Sequence, residues 1–189
     1  LTITDLLQSH NWEKQEINLD IIFEDEQIIV LNKPCGLTVH PGAGQKHGTL
    51  ANALHFYNEE LNNIPRMGIV HRLDKDTSGI MVIAKTLQAH NSLVKQLQDR
   101  TITKTYSALV IGTLISGDSI VTYIGRDPKR RTAMAVLHHG KEAITHFRIK
   151  QRFKQHSLLE VKIETGRTHQ IRVHMAHIKH PIVGDKLYN

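Results

Sequence analysis

The stretch His71-Arg72-Leu73-Asp74-Lys75-Asp76-Thr77-Ser78-Gly79 decides how the rest of the chain is read. It sets Asp74 between the cations Arg72 and Lys75 and closes on a glycine. The apolar segment Met67 to Val70 precedes it and the strand-like run Ile80 to Ala84 follows. So charged a run sits badly in a core, whereas strand, loop and strand in succession would hold one carboxylate on a rigid platform. An isolated loop aspartate is ordinarily a turn cap or a surface ion-pair partner. To work as a nucleophile or base it must stay ionised while shielded from water, which calls for a fixed cation close by.

A second basic element supplies a candidate. Glu164 to His174 reads ETGRTHQIRVH; it leaves a strand, turns at Gly166 and enters a helix, so Arg167 stands at a strand-to-helix corner. Thr168 is expected to cap that helix, whose apolar stripe is Ile171, Met175 and Ile178. Between the two elements, Lys104 to Ile111 alternates and puts Lys104, Tyr106, Ala108 and Val110 on one face. Leu158 to Ile163 alternates as well, with Leu159, Val161 and Ile163 inward. Further upstream, Ile21 to Phe23 and Ile28 to Leu31 flank the acidic turn Glu24-Asp25-Glu26, a hairpin signal. Breaks follow at Asn32 to Gly36 and at Pro41 to Gly44. Leu50, Ala53, Leu54 and Tyr57 have helical spacing, Ile80 to Ala84 reads as a buried strand, and Leu87 to Leu97 as a helix capped by Thr86. Strands dominate without a βαβ rhythm. The expected fold class is α+β, a mixed, largely antiparallel sheet with flanking helices and a central catalytic cleft.

Composition narrows the function classes. The chain has 189 residues, 40% hydrophobic and 22% charged, which fits one soluble domain. No apolar run reaches membrane-spanning length, and the single cysteine, Cys35, cannot form an internal disulfide, so a cytoplasmic protein without a membrane partner is expected. Residues 1–66 carry four Lys and Arg against nine Asp and Glu, and residues 67–189 carry twenty against nine. A basic surface confined to the part bearing the candidate loop points to a polyanion or, equally, to a solvated face. The cluster Arg126, Lys129, Arg130 and Arg131 favours phosphate binding.

Taken in order, these motifs resemble one family closely, the RluA-type pseudouridine synthases, nearest to the RluD-like enzymes of large-subunit ribosomal RNA. The likeness runs from about Ile17 to Tyr188. It takes in Leu31-Asn32-Lys33-Pro34, Val39-His40-Pro41-Gly42, His71-Arg72-Leu73-Asp74, Lys104 with Tyr106, the Arg167 helix and Gly184-Asp185 with Leu187-Tyr188. The resemblance implies isomerisation of uridine to pseudouridine in RNA, with no metal or organic cofactor. It assigns catalysis to Asp74, which attacks the flipped nucleotide or removes a ribose proton. Tyr106 would stack on the uracil and take the C5 proton; a core tyrosine is the alternative. Arg167 would hold Asp74 ionised. Arg72 would fill the space left by the flipped base or touch a phosphate, with His71, Lys129, Arg130 and Arg131 as further RNA contacts. Ile171 would wall the uracil site or pack the core, and Lys33 and Pro34 would support the loop from beneath.

Three rival readings compete with this one. Asp74-Lys75-Asp76 has the look of a magnesium-binding phosphohydrolase pair, but His71 and Arg72 separate it from the apolar strand and Lys75 opposes a cation. His169, His174, His177 and His180 could form a zinc site, though no carboxylate or cysteine accompanies them at helical spacing. An RNA-binding fragment without catalysis is the third. Relatives carry an S4-type domain ahead of the catalytic one and continue past the Tyr188 region. Residues 1–18 are therefore expected to be a linker or remnant, and 19–189 a C-terminally truncated catalytic domain acting as a monomer.

Overall fold

The computed structural model describes residues 12–42 and 44–189, which form two compact units divided between Asp99 and Arg100. Residues 1–11 of the expected linker lie outside the described residues. The rest of that segment is tied to the first unit: the Glu13 carbonyl accepts from Asn52 Nδ2 at 2.8 Å, and the Gln15 amide donates to the Asn52 carbonyl at 3.2 Å.

The first unit contains the expected hairpin. Strands β1 (Asp20–Glu24) and β2 (Ile28–Lys33) pair antiparallel, and Asp25 Oδ1 closes the turn by accepting from the amides of Gln27 and Ile28. Strand β3 (Gly79–Ala84) pairs antiparallel on the far side of β2, with Lys33 opposite Gly79. Alternation in β2 sends Ile29, Leu31 and Lys33 to the buried face. Helix α1 (Leu50–Tyr57) starts with a reciprocal cap, because Thr49 Oγ1 accepts from the Asn52 amide while Asn52 Oδ1 accepts from that of Thr49. Leu50, Ala53 and Leu54 are buried, whereas Tyr57 at the end of the stripe is exposed. Helix α2 (Leu87–Gln98) is capped by Thr86 as expected.

Two readings need correction here. The segment before the Asp74 loop is not a strand: Pro65–Gly68 is a 3-10 turn, and Ile69 makes a single bridge to Ile83. Three successive residues, Arg66, Met67 and Gly68, have positive φ, because the chain passes so close to β3 that only glycine fits at 68. Strand β3 is not buried throughout either, since Met81 and Ile83 face the core while Ile80 is exposed.

The second unit is a five-stranded sheet in the order β4 (Lys104–Ile111), β8 (His156–Ile163), β7 (Lys141–Arg152), β5 (Asp118–Arg126), β6 (Met134–Val136), every pairing antiparallel. The inward residues Ala108, Val110, Ile120, Phe147, Leu159 and Val161 pack with Met175 of helix α3 (Gln170–His177). Polar pairs such as Arg148 with Glu160 and His146 with Glu164, both at 2.7 Å, ladder the opposite face. The Thr168 cap is also corrected: His169, in the left-handed region, occupies that position without a side-chain cap. The last residues fold back on α3, where Arg172 pairs with the buried Asp185 at 2.7 Å and stacks over the Tyr188 ring. No helix among the described residues is long and apolar enough to cross a membrane.

The turn before the Asp74 loop gives a direct test of this packing. A β-carbon at Gly68 would stand 2.0 Å from the Ala84 carbonyl oxygen, on a backbone with φ of +73°. Gly68→Ala is therefore expected to lower the unfolding free energy by about 2 kcal/mol or more in urea denaturation. An unchanged midpoint would contradict the close approach.

Candidate active site

In the first unit the Asp74 loop is held from below by the end of β2. Lys33 is completely buried. Its ammonium donates to three carbonyls, those of Pro34 at 2.8 Å, Leu37 at 2.9 Å and Lys75 at 3.0 Å. An ammonium has three N–H donors, so the buried charge is satisfied in full. Burial lowers the pKa of Lys33, and neighbouring Cys35, Asp76 and Asp74 oppose that shift. The Gly36 amide adds a bond to the Lys75 carbonyl at 2.9 Å, and Cys35 Sγ one to the Asp76 carbonyl at 3.2 Å. The loop closes on itself where the Thr77 amide donates to the Asp74 carbonyl at 3.1 Å.

Asp74 is half-buried beside the buried Leu73, whereas Arg72 is exposed. His71 has a structural tie, its Nε2 accepting from the Val82 amide of β3 at 3.1 Å. Pro34 is exposed and contributes its carbonyl to Lys33.

In the second unit, Tyr106 lies on the inward face of β4 opposite Val161, half-buried against the core. Arg167 is fixed twice over. Its Nε donates to the Glu142 carbonyl at 2.7 Å, and its backbone amide donates to Gln170 Oε1 at 3.0 Å. Burial lowers the pKa of Lys104, and the positive charges of Arg100 and Arg167 add to the shift. Ile171 packs against the hydrophobic core. Of the basic tract, Arg130 already bonds Asp127 at 3.2 Å and the Leu187 carbonyl at 3.0 Å, while Lys129 and Arg131 are exposed.

The sequence reading missed the polar network that sets the Arg167 turn. Gln170 is buried; its Oε1 takes the Arg167 amide and the Thr165 hydroxyl, and its Nε2 donates to the Ile144 carbonyl and Thr145 Oγ1. His174, one turn on and also buried, meets Thr145 Oγ1 with Nδ1 at 2.8 Å and Thr122 Oγ1 with Nε2 at 2.9 Å. A hydroxyl can donate or accept, so the two threonines give both nitrogens of a neutral His174 ring a partner. A polar residue inside an amphipathic helix stripe was the one available signal. His169 and His180 are also engaged, with the Tyr188 hydroxyl and the Ile111 carbonyl.

Comparison with known proteins now decides the family. Residues 27–177, from the β1–β2 turn to the end of α3, match the model of the RNA pseudouridylate synthases. The chain belongs to that family. It is 56% identical over 174 residues to the ribosomal large subunit pseudouridine synthase D of Xylella fastidiosa, covering 92% of this chain and 53% of that protein. It is 55% identical over 177 residues to that of Pseudomonas aeruginosa, covering 94% and 55%. The chain thus spans about half the length of the curated relatives it matches. Among solved structures it resembles human RNA pseudouridylate synthase domain containing 1, with a TM-score of 0.75 at 28% identity over 91% of this chain and 70% of that one. The corresponding human domain containing 4 gives 0.72 at 26%, over 89% and 68%.

Burial lowers the pKa of His174 from 6.5 to about 4, helped by the charge of His177. Between those values the unfolded chain takes up a proton that the folded ring refuses. The stability due to the neutral ring is therefore whole above pH 6.5 and is lost as pH falls toward 4, at up to about 1.4 kcal/mol per pH unit. In His174→Asn this component should be missing, so the stability gap between parent and variant narrows over that window. Parallel stability curves would contradict the buried neutral ring.

Proposed function

We propose that the chain isomerises uridine to pseudouridine in RNA, with large-subunit ribosomal RNA as substrate and Asp74 as the catalytic carboxylate. The observation that carries this reading is the family match across residues 27–177, which includes the Lys33-anchored loop that presents Asp74. The loop suits the task, since three carbonyls and a buried ammonium hold its backbone and leave the Asp74 side chain half-buried. Preorganised placement of this kind supplies much of the rate in any reaction that needs one group at one atom.

The proposed course breaks the N1–C1′ bond of an extruded uridine after Asp74 attacks the nucleotide or removes a ribose proton. The uracil turns and rejoins the sugar through C5, losing the C5 proton and gaining one at N1. Product and substrate have the same atoms, so the chemistry consumes no co-reactant. Tyr106 and Arg167 take the roles that the family resemblance gives them, stacking with deprotonation and charge stabilisation. Extrusion costs about a few kcal/mol, and in this reading the exposed Arg72 offsets it by filling the vacated space. His71 borders that footprint, Lys129 and Arg131 supply exposed phosphate contacts, and Arg130 shapes their turn. In this reading residues 19–189 belong to the catalytic domain, acting as a monomer in the cytoplasm.

Asp74→Asn keeps the shape of the side chain and removes its charge. It is expected to bind large-subunit ribosomal RNA as the parent does and to form no pseudouridine, measured by mass spectrometry of nuclease digests. Product at the parental rate would end the assignment.

A further inference from the structure

Arg66 stands six residues before Arg72, in the strained turn that leads into the Asp74 loop. Arg66 has φ 56° and ψ 36°, and Met67 has φ 58° and ψ 34°. Left-handed backbone at a residue other than glycine costs about 1–3 kcal/mol and persists only where surrounding structure enforces it. Here the core enforces it, through the buried Met67 side chain and the contact of Gly68 with Ala84. The backbone at Arg66 is thus dictated by packing at its neighbours.

The electrostatics around that guanidinium are unbalanced. One of its terminal nitrogens bonds His40 Nδ1 at 3.2 Å, which makes His40 the acceptor and turns the fork; the Trp12 ring stacks at a tilt on His40, 5.6 Å away. Among the described residues no carboxylate lies within ion-pair range of Arg66 or of Arg72. The neighbours are instead cationic or basic. Burial lowers the pKa of Arg66 and the charge of Arg72 adds to it, while the charge of Arg66 contributes to lowering His90. Arg66 itself is one of only four Lys and Arg in residues 1–66. A guanidinium held in place by an enforced backbone and by His40, with no carboxylate among the described residues to balance it, is stabilised by binding an anion, and the planar fork of arginine matches phosphate oxygens.

We propose that Arg66 is a phosphate clamp, holding a phosphodiester group of the RNA strand beside the Asp74 loop, with His40 orienting its fork. This rests on the reading of RNA as the substrate. It leaves Arg72, which is also exposed and stands on the loop itself, for the space of the extruded base.

The test is the salt dependence of binding to a large-subunit ribosomal RNA transcript, for the full chain and three variants. Arg66→Gln removes the charge and keeps a hydrogen-bonding side chain, Arg66→Lys keeps the charge, and Lys95→Gln removes an exposed charge on α2. The expected result is a slope of log K against log salt smaller by about 0.7–0.9 in Arg66→Gln, with Arg66→Lys and Lys95→Gln at the parental slope. An unchanged slope in Arg66→Gln, or an equal fall in Lys95→Gln, would overturn the clamp while leaving the RNA reading intact. Reduced binding stoichiometry at unchanged slope would mean a damaged fold and overturn it too. Parent protein that does not bind RNA would remove the substrate reading, and this inference with it.

Discussion

A buried ammonium organises the first unit. Desolvating a lysine charge costs several kcal/mol unless every donor finds an acceptor. Lys33 meets that condition by drawing the carbonyls of Pro34, Leu37 and Lys75 onto one nitrogen. The consequence is geometric. The chain leaving β2 must curl around the Lys33 side chain, and the loop 42 residues away must bring its own backbone to the same point. The pairing of Lys33 with Gly79 then fixes where β3 begins, so both ends of the Asp74 loop are set by one residue. Removing the ammonium would strip the Pro34 and Leu37 carbonyls of this bond and leave the Lys75 carbonyl with the Gly36 amide alone, which is costlier than losing an apolar contact.

The second unit reaches a similar rigidity by neutral means. Gln170 and His174 project from one side of α3 onto hydroxyls and carbonyls of β5, β7 and the segment after β8. Both polar atoms of the Gln170 amide and both ring nitrogens of His174 are bonded, and the terminal link is the backbone amide of Arg167. Charged atoms therefore appear at the two loops while the groups that position them are buried and satisfied. A family of enzymes acting on RNA needs such stiffness, since the energy of extruding a base is recovered only if the receiving groups do not have to move.

Much of this was legible in the sequence because it is written in local periodicity. The β1–β2 hairpin, the Thr86 cap and the alternation of β4 and β8 depend on neighbours a few residues apart. The misreadings involve distant partners. Met67 to Val70 is apolar enough for a strand, but the Gly68 approach to Ala84 forces a left-handed turn that no local pattern reports. Thr168 is a good cap by residue type. It is displaced because Gln170 reaches Thr145 and Thr165 and supplies the Arg167 amide with its acceptor instead. The Lys33-Pro34 pair was visible as a support for the loop, while the three carbonyls that make it one come from segments 1, 4 and 42 residues away.

The most direct measurement replaces Lys33 by methionine and follows two observables in the same protein. Hydrogen exchange at the Gly36 and Thr77 amides reports the loop, and single-turnover pseudouridine formation reports the placement of Asp74. The account predicts faster exchange at both amides and a rate constant lower by on the order of a hundredfold, with RNA affinity kept. Parental exchange together with a parental rate would contradict the claim that one buried ammonium holds the Asp74 loop.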